Sequence, residues 1–277
     1  MTKDSKVNPI SSQSRRIRRI ILAGLLGSIL LVWLTNTPPG LLGKTDAIGY
    51  AICHRISSHS FYFGERPFSF CARCSGQYLG FLWGFVIHLV LGKKKSGFPT
   101  RYMLLLLGAL FLFYALDGLN SVMHLYPGLE KWSVYEPSNT LRLYTGLGMG
   151  IVISSILYPL LNQILWREIS LKPVLEGFRE WVILFGGAIG IGFLVLTGNA
   201  LITYPLILLS AGGLMLLLTI LYSVIWILIT KKENEFESWQ QLGWWGIAGF
   251  SSALIQIALI DLSRYILTGT WSGFLDY

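Results

Sequence analysis

Charge is scarce in this sequence. Of its 277 residues only 13% are Asp, Glu, Lys or Arg, about half of the ~25% carried by an ordinary soluble domain, which excludes a conventional water-soluble fold. Cysteine is rarer still. There are three, an odd number, so a complete disulfide framework is excluded. Also missing are a glycine-rich nucleotide loop, a Ser-His-Asp pattern and a paired-histidine metalloprotease helix, which removes the usual nucleotide-hydrolysing, serine-hydrolase and zinc-protease readings. No repeat of 20–50 residues and no low-complexity segment is present, so solenoids and linkers are excluded as well.

What is abundant is apolar. Hydrophobic residues make up 53% of the chain and aromatic residues 14%, with ten Trp, and the mean hydropathy is +0.58. Apolar runs of about 18 residues or more read as membrane-spanning helices, and Trp and Tyr collect at membrane interfaces. The expected fold is all-α, a multi-pass transmembrane helix bundle of about seven spans. They begin near Ile20, Gly76, Tyr102, Leu141, Trp181, Tyr204 and Trp244. The first run, Ile20 to Leu34, is read as an uncleaved span after a basic tail over 1–19, a cleaved signal peptide being the competing reading. A membrane domain over 20–165 and additional helices over 166–277 complete the division. Asp46 to Ile56 and part of 166–180 are expected as short helices at the membrane surface. The net charge of +8 does not imply nucleic acid, because 15 of the 22 Lys and Arg fall at helix ends on one side. The positive-inside rule makes that side cytoplasmic. The amino terminus is then in the cytoplasm, the protein lies in the plasma membrane with the lipid bilayer as partner, and the cysteine loop is extracytoplasmic.

All three cysteines and two of the four histidines lie in one stretch. It reads Cys53-His54-Arg55, a polar loop with His59, then Cys71-Ala72-Arg73-Cys74 at the mouth of a helix. A Cys-x-x-Cys turn can place two thiolates on one ion, with Cys53 and His54 completing four ligands and His59 competing for the fourth place; zinc is the expected metal. The same turn at a helix amino terminus also suits thiol–disulfide exchange by Cys71 and Cys74. A plain structural role is the third reading. Gly76, Gly80 and Gly84 recur every fourth residue and leave one helix face smooth for close packing. Asp117 and Asn120, Asn139 and Arg142, and Asp261 and Arg264 are each spaced three apart near the outer ends of their spans. Charges at membrane depth pair with one another or line a wet cavity. Arg73, Asp117, Asn120, Asn139 and Arg142 are therefore expected to form a polar pocket beneath the cysteine loop, with Asp117 facing Arg142. Such a pocket could take a lipid headgroup or a small solute.

The run Cys53-His54-Arg55 with Phe70-Cys71-Ala72-Arg73-Cys74-Ser75-Gly76-Gln77-Tyr78-Leu79-Gly80 resembles the signature of a family of predicted prokaryotic membrane proteins, domain of unknown function 2085. Asp117-Gly118-Leu119-Asn120 and Ser138-Asn139-Thr140-Leu141-Arg142 are similar to it as well. The resemblance covers about 53–150 and leaves 165–277 as an extension. It implies a membrane protein and suggests that the cysteine, Asp117 and Arg142 motifs belong together. Three functions follow as expectations: a membrane protein with a small zinc site at an outward-facing pocket, a membrane thiol oxidoreductase, or a transporter or assembly factor whose cysteines are only structural.

Overall fold

A computed structural model describes residues 9–271. Each long apolar run forms a helix: α1 (Pro9–Asn36), α2 (Gly40–Ile52), α3 (Ala72–Gly92), α4 (Arg101–Leu125), α5 (Asn139–Leu165), α6 (Phe178–Leu196), α7 (Ala200–Ile229) and α8 (Gly243–Thr268). Residues 1–8 of the basic tail lie outside the described residues, and 9–19 continue into α1. Six helices are long and apolar enough to cross a membrane, or seven if α1 and α2 form one bent span. The bend is 104°. It falls at Thr37-Pro38-Pro39, where two rings without N–H groups break the helical ladder, and Gly40 takes φ +77° to restart it. The surface helix therefore begins at Gly40, six residues before the expected Asp46.

α4 shows why this is a membrane fold. It exposes Phe111, Leu112, Phe113 and Leu116 and buries Asp117, Asn120 and Ser121. Such an inverted helix is unfavourable in water and natural in lipid, where polar groups must find partners inside the protein. α3 and α5 form the centre and run parallel. A Cβ added to Gly76 or Gly80 would fall onto the carbonyl oxygens of Leu143 or Leu147, and one at Gly84 onto Ser154. The seam is reciprocal, since Gly146 and Gly150 meet the backbone of Arg73 and Gln77. α6 and α7 close around this pair. Trp181, Leu184, Ala211 and Leu214 share one core with Phe81, Phe85 and Ile151.

Two short sheets occupy opposite ends. The β1 (Tyr62–Phe63) and β2 (Arg66–Pro67) strands make a hairpin turned at Gly64, φ +62°. The β3 strand (Lys95–Gly97) pairs in parallel with β4 (Ser170–Pro173), so the short helix expected in 166–180 is a strand. The reason is the backbone of 94–97, whose carbonyls need donors. Ser170 N–H supplies Lys94 O at 3.1 Å and Val174 N–H supplies Gly97 O at 3.2 Å. At this end the turns after α3, α5 and α7 meet: Lys94 donates to the Glu237 carbonyl at 2.8 Å and Arg167 N–H to that of Phe236 at 3.0 Å. At the other end the cysteine segment meets the start of α5 and the chain after α8. Asn139 donates to Ser58 O at 3.1 Å, and Arg55 to Trp271 O at 3.0 Å.

Candidate metal centre

Cys53 is the first residue past α2, its N–H still bonded to Gly49 O at 2.8 Å. Cys71 caps the start of α3 in extended backbone, and Cys74 lies one turn on. The 68–70 segment is pressed onto α2 so tightly that a Cβ at Gly49 would meet the Ser69 carbonyl. Asp46 fastens this contact. It accepts from Ser69 Oγ at 2.8 Å and pairs with Arg55 at 3.3 Å and with Arg66. Arg264 on α8 donates to the carbonyls of Tyr50 and, at 2.9 Å, of Cys53, where the end of α2 presents unpaired oxygens.

The result is three buried or half-buried free thiols whose sulfur atoms all lie within 4.8 Å of one another. Cys53 Sγ accepts the amide N–H of Cys71 at 3.3 Å and of Arg55 at 3.5 Å. Hydrogen bonds from the Cys71 and Cys74 thiols, against the opposing effect of burial, hold the Cys53 thiol well below its ordinary range. Donating to Cys53 pushes Cys71 up to about 12. Sulfurs around a tetrahedral zinc stand about 3.7–4 Å apart, a spacing compatible with a group whose sulfurs all lie within 4.8 Å.

Neither imidazole belongs to the 4.8 Å group. His54 and His59 pack edge to face, 5.4 Å between ring centres. Burial lowers the pKa of His54 and takes His59 to about 4, with Arg142 adding to the second shift. Both shifts favour the neutral imidazole that a metal ligand must be. His54 Nδ1 already accepts the Ile56 amide at 3.0 Å, and ligation through that atom would displace this bond.

Beneath the thiols lies a polar network. Asp117, 2% exposed, pairs with Arg73 at 2.5 Å and accepts from Tyr135 Oη at 2.8 Å and Thr145 Oγ1 at 3.2 Å. The expected Asp117–Arg142 pair is thus replaced by Asp117–Arg73: one turn of helix puts Arg73 between Cys71 and Cys74 on the face toward α4. Arg142 instead donates to Asn139 Oδ1 at 2.8 Å. Asn120 holds the loop before α5, accepting from Val134 N–H at 2.7 Å and donating to Tyr135 O at 2.8 Å. Arg73, Asp117, Tyr135, Thr145 and Asn120 form one bonded group, and Asn139 with Arg142 a second beside it, so the expected pocket is filled by the residues themselves. The open space beside the thiols lies elsewhere, as a cleft of about 450 Å³ between α2 and α8 lined by Cys53, His54, Ser263 and Arg264. Asp46, Tyr135 and Thr145 join the site without having been singled out by the sequence pattern. Asp46 could have been found, since it sits seven residues before Cys53 and so on the same face of α2.

A family described as predicted membrane protein, domain of unknown function 2085, matches residues 53–156. An uncharacterized protein of Methanothermobacter thermautotrophicus is 31% identical over 114 residues, spanning 41% of this chain and 91% of that protein. This chain belongs to that family. An uncharacterized protein of Methanocaldococcus jannaschii is 27% identical over 124 residues, 44% of this chain and 71% of its own. No solved structure matches. The family's segment holds all three cysteines, Arg73, Asp117 and Arg142, while the clamps Asp46 and Arg264 lie outside it.

Proposed function

We propose that this membrane protein carries a zinc ion on Cys53, Cys71 and Cys74, with His54 as fourth donor, at the extracytoplasmic end of the bundle. The carrying observation is the convergence of three free thiols within 4.8 Å from two separate segments. A plain Cys-x-x-Cys redox turn needs only two of them, and the third is brought in by a dedicated clamp of Asp46 and Arg264. A structural zinc site fixes such a loop outright. His54 would join by exchanging the Ile56 amide for the metal. The adjoining cleft between α2 and α8 would then admit a small solute or lipid headgroup to the rim of the centre. The amino terminus is cytoplasmic in this reading, which rests on the asymmetry of Lys and Arg between the two ends.

The test is elemental analysis of protein purified in detergent, beside a thiol count before and after chelation. The expected result is about one zinc per chain, with thiols that react only once the metal is stripped. Cys53→Ser should lower zinc content at least tenfold. Metal-free protein with two thiols missing until a reductant is added would instead establish a Cys71–Cys74 disulfide and a redox role. Metal-free protein with three reactive thiols would leave the cysteines structural.

A further inference from the structure

A second site lies against another side of α8, outside the family's segment. α1 and α8 enclose a cleft of about 710 Å³, lined among others by Ser28, Trp33, Asn36, Asp261, Tyr265 and Trp271. Asp261 is 3% exposed and stands nearly two turns below the end of α8. One carboxylate oxygen, Oδ2, accepts from Trp33 Nε1 at 3.0 Å. The other, Oδ1, is fully buried and has no hydrogen-bond partner among the described residues. A carboxylate at membrane depth with half its acceptor capacity unused is costly unless something else supplies a donor or a charge.

The neighbouring cations make their hydrogen bonds to other groups, Arg264 acting on Asp261 only from beyond ion-pair distance. Arg264, one turn on, donates to the Tyr50 and Cys53 carbonyls on the α2 side. Lys44 donates to Thr37 O at 3.1 Å and to its hydroxyl at 2.8 Å, and to Leu34 O, with its ammonium 5.9 Å from the centre of one face of the Trp33 ring. No ion pair to Asp261 is formed among the described residues. The walls of the cleft are aromatic: Trp33, Tyr265 and Trp271, the last two 5.4 Å apart between ring centres. A carboxylate with a free lone pair, walled by electron-rich rings, is the chemistry that recognises an organic cation. The free lone pair adds a demand for an N–H donor, and the apolar lining from Ile29, Val32 and Leu262 a demand for an alkyl body.

We propose that the α1–α8 cleft binds a protonated primary amine on an apolar chain, with Asp261 as its counter-ion and Trp33, Tyr265 and Trp271 around the ammonium group. The amine could be borne by a lipid headgroup or by a free amphiphile, and two arms separate these sources. For the free amine, n-hexylamine, n-hexyltrimethylammonium and n-hexanol are titrated into the purified protein in a non-ionic detergent, with Trp fluorescence as readout. Hexylamine should bind at least tenfold tighter than hexanol and detectably tighter than the trimethyl compound, which has no N–H. Asp261→Asn should remove at least tenfold of the hexylamine affinity, and Tyr265→Leu, at a half-exposed ring, several-fold. For the lipid, native mass spectrometry from vesicles of equal phosphatidylethanolamine and phosphatidylcholine should retain the ethanolamine lipid on wild type and lose the preference in Asp261→Asn. Preference in this arm with no hexylamine binding identifies a lipid headgroup as the ligand; hexylamine binding without lipid preference identifies a free amine. Equal binding of hexylamine and hexanol to wild type, with no lipid preference, would overturn the proposal, and this comparison needs no variant to fold.

Discussion

At the scale of single residues, the thiols and Arg73 make separable predictions. If His54 completes the metal, His54→Ala should lower zinc affinity at least about tenfold, and His59→Ala, which only removes an edge-to-face neighbour, should change it far less. Competition with a zinc-sensitive chelator measures both, and equal losses would mean that His54 is no ligand. Arg73 tests the network instead. Removing it leaves Asp117 buried and without its 2.5 Å counter-charge, a change that costs about 3–5 kcal/mol in comparable pairs. Arg73→Met should therefore lower detergent-solubilised thermal stability sharply, and the double change Arg73→Met with Asp117→Leu should recover much of it. A single variant as stable as wild type would remove the pair from the account. The cysteines are legible in the sequence because soft donors are so few in it. Which arginine meets Asp117 is not, because Arg73 and Arg142 are both within a turn of the same level. The choice depends on which face α3 turns toward α4.

At the scale of elements, the parallel α3–α5 seam carries the fold. Gly80→Leu would drive a side chain into the Leu147 backbone, and backbone cannot yield as a rotamer can. The expected cost is at or above about 3 kcal/mol, the upper end of overpacking effects, read as loss of folded protein on size exclusion. Gly108→Leu on α4, where an added carbon meets nothing within 4 Å, is the control and should behave as wild type. Equal behaviour of the two would mean that the seam is loose. The four-residue glycine spacing points to close packing by itself, since i and i+4 share a helix face. The partner helix is not legible in the sequence, because Gly146 and Gly150 offer a similar face and so do the glycines of α6. The strand at Ser170–Pro173 is hidden for another reason: four residues carry too little pattern, and its pairing is with Lys95–Gly97, 75 positions away in the chain.

At the scale of the whole molecule, the loops sort into two ends, one holding β3, β4 and the 231–242 turn, the other the cysteine segment and the chain beyond α8. If the basic end is cytoplasmic, a reporter fused after Lys95 should report cytoplasm and one fused after Asn199 the outside. The reverse result would invert the placement of the metal site without changing its geometry. Span number and rough limits are readable from hydropathy alone, because lipid imposes length and apolarity on every crossing. The bend of 104° between α1 and α2 is readable only in part: Pro38-Pro39 announces a stop, and nothing in the sequence announces the angle. The inverted surface of α4 bears on biosynthesis. Asp117 is made 44 residues after Arg73, so α3 already offers a guanidinium when the acid emerges from the ribosome. A split protein in which residues 98–277 are expressed before residues 1–97 would send that carboxylate toward lipid before its cation had been translated, and its yield of inserted protein should fall although both fragments start and end on the sides they occupy in the intact chain.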